Sequence, residues 1–302
     1  MIYGFDIGGT KIELVVFNQN SEVVYKKRVS TPKDSYEAFL DALAGLVLDA
    51  DSELDCQRSI GLSMCGVIDS RSGMLLSANL PQLTGKRLVH DISERLGTNI
   101  VLDNDCKCFA YSEANGGAAD GYETVFGAIL GTGVGGGICH NGELVQGMSG
   151  QCGEWGHTQI AAMFTEKYGL PLFDCGCKPE ARGCIEQYIS GTGLSNIYKH
   201  VSGKDGKSEY IISAMRSGDE EALKAFDIFI DILAYSLVTF IHIVNPNAIV
   251  FGGGLSNVDE LYEKLPGKLD EYLLSVIPAP VLLKPKFGDS SGVRGAALLA
   301  SR

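Results

Sequence analysis

Two rhythms of apolar and polar positions run along the chain. Short continuous runs of β-branched and aromatic residues predict buried strands, and apolar residues three and four apart predict helices. "IYGFDI" is the first run, and "GGT" after it predicts a tight turn into a second strand, "KIELVVFN". After "NQNS" a third strand, "EVVYKKRVS", is expected. "SYEAFLDALAGLVLDA" changes to helical spacing, with Phe39, Leu40, Leu43, Leu46 and Val47 on one face. "SIGLSMCGVI" and "NIVLDN" return to strand character, each linked through a segment that can hold a helix. The order β-β-β-α-β-α-β-α predicts a mixed α/β fold that opens on a hairpin.

The second half opens in the same way. "FGAILGTGVGGGICHNGELV" reads as strand, Gly-Thr turn, strand and then a hairpin turn at Asn141–Gly142. Laying Gly9-Thr10 on Gly131-Thr132 gives an offset of 131 − 9 = 122 residues. Two such hairpins, each beginning a half of the chain, predict duplicated domains with a cleft between them. The expected domains are 1–119 and 120–302, divided in the Gly-rich "EANGGAADGYE", with a last helix at about 292–302 returning to the first. One helical region is expected from 183 to about 201, followed by a long apolar helix over 223–244 and the strand "AIVFGGG". Asp227, Asp231, Ser236, Thr239 and His242 interrupt the apolar helix, which favours a buried core helix over a membrane span.

Composition narrows the function classes. The 302 residues carry 25 basic and 37 acidic side chains, net −12, and no Lys/Arg block, so a nucleic-acid surface is not expected. "MIYGFDIGGT" has no basic start and no apolar core of a secretory signal. The nine cysteines are odd in number, and Cys65, Cys106, Cys108 and Cys139 sit in apolar runs, so reduced thiols in a cytoplasmic protein are expected.

Glycine is frequent, and its placement carries the chemistry. "DIGGTK", "LGTGVGGG" and "FGGGLSN" are three turns that either reverse the chain or present bare backbone N–H groups to phosphate oxygens. Together they point to a nucleotide triphosphate, with Gly8, Gly9, Thr10, Lys11, Gly131, Thr132, Gly133, Gly253 and Gly254 as the binding set. Asp6, closing a buried strand, is the candidate to hold Mg2+ through water. His157, Cys175, Cys177 and Cys184 are either buried reduced residues or a tetrahedral Zn2+ set. In "LDNDCKCFAYSEA", Asp103, Asn104 and Asp105 stand between a strand and a helix, where such residues either cap the helix or do chemistry.

"DIGGTK", "LDND", "LGTGVGGG" and "GEWGH" together resemble the ROK family of sugar kinases and related repressors, and the resemblance covers essentially the whole chain. It implies the two-domain actin-like (hexokinase-type, ribonuclease H-like) fold with an interdomain cleft. "SANLP", "CFAYSEA" and "GCIEQYISGTGL" are most similar to the family's N-acetyl-D-glucosamine kinases. The implied reaction is ATP-dependent phosphorylation of N-acetyl-D-glucosamine at its 6-hydroxyl. A fructokinase or glucokinase is the alternative; a repressor would need an added helix-turn-helix, which is not expected here.

The resemblance also implies site roles. Asp105 is the general base, and Asn104 bonds a neighbouring hydroxyl, leaving the capping role to Asp103. Glu154, His157 and Glu186 hold the sugar, with Asn79 and Gly66 as further sugar contacts. His157 has one ring nitrogen on a structural zinc shared with Cys175, Cys177 and Cys184, and the other toward the sugar. The family spacing C-x-C-x4-C is here C-x-C-x6-C, so the two extra residues are expected to bulge outward, and Cys65 stands where a proline is usual. A homodimer without nucleic-acid or membrane partners completes the expectation.

Overall fold

The computed structural model describes residues 1–54, 58–69, 71–77 and 79–302, so Ala78 of "SANLP" lies outside the described residues. Two five-stranded sheets organise these residues. The first runs, edge to edge, Val23–Ser30, Lys11–Phe17, Ile2–Ile7, Ser59–Met64 and Ile100–Asn104. The second runs Glu143–Leu144, Val134–His140, Thr124–Leu130, Ala248–Gly252 and Val281–Leu283. In each the first strand of the half lies centrally, its hairpin partner on one side and parallel strands on the other. The shared order matches the 122-residue repeat.

The chain divides into two compact units, and they interleave along the sequence. One comprises Met1–Gly121, Gly137–Cys152 and Lys286–Arg302; the other comprises Tyr122–Gly136 and Gly153–Pro285. The segment 137–152 therefore lies outside the C-terminal domain expected over 120–302. Close approach is the physical reason: a Cβ on Gly137 would fall 2.8 Å from the Lys107 Cα, so the strand backbone lies directly on the helix that follows Asn104.

In the first unit, helix Tyr36–Glu53 covers one face of the sheet through Phe39, Leu40, Leu43, Leu46 and Val47, all buried with Phe5, Leu14 and Leu62. Ser35 caps it by accepting from the Ala38 N–H. Helix Ser291–Ala300 covers the other face, so tightly that a Cβ on Gly61 would meet the Ala296 carbonyl at 1.8 Å. In the second unit, Glu220–Val244 runs through the core against Gly191–Ser202 and Asp259–Tyr272. Among the described residues it is the one helix long and apolar enough to cross a membrane, and most of its apolar positions are buried in this core.

Two expected elements divide. The apolar run "SIGLSMCGVI" is a sheet strand only to Met64; Val67–Ile68 pairs instead with Leu75–Leu76 in a small separate hairpin. Gly66 lies at that break, where Leu76 O and Leu75 crowd the place a Cβ would take. The helical region from 183 to about 201 is two helices, Glu186–Ile189 and Gly191–Ser202. Ser190 is extended between them, its hydroxyl capping the second by accepting from the Gly193 N–H.

Candidate functional site

In the first unit the candidate residues gather at the C-terminal ends of parallel strands, where α/β folds place their ligands. Asp6 pairs in register with Ser63, and Ser63 with Asp103. One residue further, Asn104 ends its strand and becomes the helix N-cap, its Oδ1 accepting from the Cys106 N–H at 2.9 Å. This corrects the capping expectation. Asp103 instead accepts from the Asn104 N–H at 2.8 Å, the Lys107 ammonium at 3.1 Å and the Gln146 amide at 2.7 Å. The Asn104 Nδ2 has no partner among the described residues and is available to a ligand.

Asp105 opens helix Asp105–Ala114, and its carboxylate accepts the Cys106 N–H at 3.0 Å. Burial raises its pKa, and that N–H offsets the shift only in part. Asp6 is raised as well, first by burial and then by the charge of Asp105, so these two carboxylates sense one another.

The first glycine turn is pinned by the Gly8 N–H donating to Lys11 O at 2.9 Å and the Thr31 hydroxyl donating to Gly8 O at 2.7 Å. Neither Gly8 nor Gly9 has a positive φ, and a Cβ on either would make only ordinary contacts. The turn itself therefore does not demand glycine. Thr10 and Lys11 are exposed on the same turn, and the Asn79 backbone lies 3.5 Å from the Cβ position of Gly9. A cavity of about 220 Å3 in this unit is lined by Gly66, Leu102, Asn104 and the loop residues Gln146 and Gln151.

In the second unit the other two glycine turns touch. Gly253 has φ +76°, and a Cβ there would come within 2.6 Å of the Leu130 carbonyl, so only glycine fits against the Leu130–Gly131 backbone. Gly254 faces open space. Gly133 has a different reason: a Cβ would fall 2.7 Å from Glu186 Oε2, which accepts the Val134 N–H at 3.2 Å. Gly131, Thr132 and Gly254 line a cavity of about 1070 Å3, closed on its far side by Lys207, Ser208 and Arg216. The remaining glycines of "VGGG" lie in the strand and serve packing, Gly136 against the Phe126 ring. The cavity wall from Lys207 to Arg216 carried no sequence signal.

His157, Cys175, Cys177 and Cys184 offer one ligand atom each, all within 4.8 Å of one another. Their soft donor set and spacing fit a tetrahedral cation with no open position. His157 Nδ1 faces this group, 3.7 Å from Cys175 Sγ, while Nε2 faces the Glu154 carboxylate at 3.8 Å. Glu186 Oε1 lies 3.3 Å from Cys175 Sγ, so Glu154, His157 and Glu186 are brought together around the thiols. Burial pushes the Cys175 and Cys184 thiols up; a bound divalent cation reverses that by favouring thiolates. The two extra residues are taken up by an exposed turn in which the Ala181 N–H donates to Lys178 O at 3.1 Å and Glu180 adopts φ +64°. Asp174 and Arg182 bridge the base of this turn, so the insertion leaves the three sulfurs together.

Residues 2–302 match the ROK family. The chain is 42% identical to an N-acetyl-D-glucosamine kinase of Photobacterium profundum over 99% of both chains. It is 40% identical to the N-acetylgalactosamine kinase AgaK of a Shewanella species, covering 99% of this chain and 96% of that one. Among solved structures, the ROK hexokinase of Thermus thermophilus superimposes with a TM-score of 0.87 at 29% identity, covering 99% of this chain and 97% of that chain.

Proposed function

The chain belongs to the ROK family, and on that premise we propose that it transfers the γ-phosphoryl group of ATP to the 6-hydroxyl of N-acetyl-D-glucosamine, giving N-acetyl-D-glucosamine 6-phosphate and ADP. The full-length likeness to N-acetyl-D-glucosamine kinases carries this reading. Asp105 is the general base: its carboxylate takes the proton of the 6-hydroxyl as that oxygen attacks the γ-phosphorus. Its raised pKa moves it toward the range in which a base both accepts and releases a proton near neutral pH. Asn104 offers its free Nδ2 to a neighbouring hydroxyl. Glu154, His157 and Glu186 hold further hydroxyls, with Asn79 and Gly66 as the weaker sugar contacts.

Triphosphate oxygens are met at the first turn by Gly9, Thr10 and Lys11, with the Gly8 N–H holding the turn through Lys11 O, and at the other two turns by the backbone around Gly131, Thr132, Gly133, Gly253 and Gly254. The cavity of about 1070 Å3 has room for the nucleoside. Asp6 is the residue to hold Mg2+ through water, and that ion supplies charge neutralisation on the transferred phosphoryl group. His157, Cys175, Cys177 and Cys184 would hold a structural Zn2+, locking the "GEWGH" turn to the "CIEQY" helix. The proposed assembly is a cytoplasmic homodimer, which light scattering checks.

The deciding experiment measures ADP release with N-acetyl-D-glucosamine, N-acetyl-D-galactosamine, N-acetyl-D-mannosamine, glucose and fructose at equal concentration. The highest kcat/KM is expected for N-acetyl-D-glucosamine. Preference for the galacto epimer would move the chain to the AgaK activity, and preference for an unsubstituted hexose would overturn the amino-sugar reading.

A further inference from the structure

Lys107 is a buried cation that the proposed chemistry does not use. Its side chain is 4% exposed, two residues after Asp105 and four after Asp103. A positive charge in the first turn of a helix opposes the helix dipole, so helix stability does not account for it. A contact with substrate does not either, because each of its three N–H donors already has a protein acceptor. Those acceptors are Asp103 Oδ1 at 3.1 Å, Gln146 Oε1 at 2.6 Å and Gly150 O.

Two backbone bonds, Val145 N–H to Ile138 O at 2.9 Å and Cys152 N–H to Gln146 O at 3.4 Å, tether the ends of the loop it reaches. Val145 through Ser149 are exposed, Met148 completely, so apolar burial does not fix their position. Gly147 and Gly150 both take positive φ, +68° and +73°, which bends the loop toward the ammonium. Gln146 closes the triangle by donating its amide to Asp103 Oδ2 at 2.7 Å. Both Asp103 oxygens are then engaged, one by Lys107 and one by the loop. The strand that ends at Asn104 and the loop of Gln146 and Gln151 both line the same cavity of about 220 Å3.

We propose that Lys107 is a positioning residue of the sugar pocket: it clamps the Gln146–Gly150 loop onto the strand end that delivers Asn104 and Asp105, and so governs sugar affinity rather than nucleotide affinity. This rests on the sugar-kinase reading above. A lysine suits the task because a flexible stem with three donors can gather a carboxylate, an amide and a backbone carbonyl at once. Loosening one wall of a binding pocket removes contacts made equally in the ground and transition states, which raises KM with kcat little changed.

Three variants test it: K107M, which keeps the stem and removes the charge; K107R; and Q146L, which cuts the clamp from the loop side and leaves Lys107 paired with Asp103. Each is measured for sugar KM, ATP KM and kcat, with hydrogen exchange of the loop amides 145–152 as a readout independent of activity. K107M and Q146L are expected to raise sugar KM roughly ten- to a hundredfold, with ATP KM and kcat changed less than about threefold, and to speed loop exchange. K107R should recover part of the sugar affinity. Unchanged loop exchange in Q146L overturns the clamp. Faster exchange with unchanged sugar KM, or equal rises in sugar and ATP KM, overturns the positioning role. Should K107M fail to fold, Q146L decides the matter by the same two readouts. A wild-type chain that turns over no sugar fails the functional reading alone, because loop exchange still reports on the clamp.

Discussion

Two aspartates in helices, one buried and one half-buried, show how differently the same side chain can be treated. Asp231 sits in the middle of Glu220–Val244, 1% exposed. Burial works against its charge, yet Lys167 at 2.8 Å, Tyr168 and Tyr272 at 2.8 Å all donate to it and hold its carboxyl below the ordinary range. Asp105 opens its helix with only the Cys106 N–H and thiol and its own N–H beside it and no cation, and burial outweighs them, so its pKa goes up. A carboxylate that holds a fold together is surrounded by donors. One that must accept a proton from a substrate is left short of them.

The comparison breaks most visibly at Asp105. Replacing it, as D105N, should lower kcat about 10²- to 10⁴-fold, the usual weight of a general base, while the melting temperature holds or rises because a poorly solvated charge is gone. In the wild type the base is ionised only above its raised pKa. The rate should therefore fall, as pH drops, at a higher pH than the roughly 4 of an ordinary carboxyl. A pH profile flat down to that value would contradict the assignment.

At Asp231 the consequences reverse. D231N should cost about 2–3 kcal/mol of stability, toward the low side for a buried pair because Lys167 is half exposed, with kcat within about twofold of wild type. Here the folded pKa is lowered, so the stabilisation is fully present above the unfolded value near 3.9 and is lost as pH falls through the folded value. Urea titrations at pH 7 and pH 3 read this directly, since the gap between variant and wild type should narrow at the lower pH.

The thiol cluster stands between these cases, since the proposal gives it a structural metal and it borders Glu154, His157 and Glu186, the residues proposed to hold the sugar. C177S, or metal removal by a chelator, should lower the melting temperature by roughly 5 °C, about 2 kcal/mol for a chain of this size, and weaken sugar binding with it. An unchanged melting curve would argue against a structural metal. The smallest effect is expected at the glycine turns. G133A should displace the Glu186 carboxylate and raise sugar KM about threefold, whereas G254A, facing open space, should leave it unchanged.

Much of this could be read from the sequence where pattern is dense. The central strands, the Asn141–Gly142 hairpin, the long apolar helix and the place of Asp105 at a strand-to-helix junction follow from local spacing alone. The capping role did not, because Asp103, Asn104 and Asp105 are all competent caps and only the register of the strand decides among them. "SIGLSMCGVI" and the 183–201 region each look continuous, since a single Gly or Ser break leaves the apolar rhythm intact. Lys107 looks like any polar helix residue, because its partners Gln146 and Gly150 lie about forty positions away in the chain. The return of the last helix to the first unit was expected, but the other boundary was hidden for the same reason: segment 137–152 joins the first unit through contacts that no local pattern announces.

The most direct test sets D105N beside D231N. Turnover of N-acetyl-D-glucosamine at saturating ATP is measured for both, together with melting curves. Loss of turnover with an intact fold in D105N, and an unstable but working enzyme in D231N, is the predicted outcome. Near-normal turnover by well-folded D105N would contradict the account.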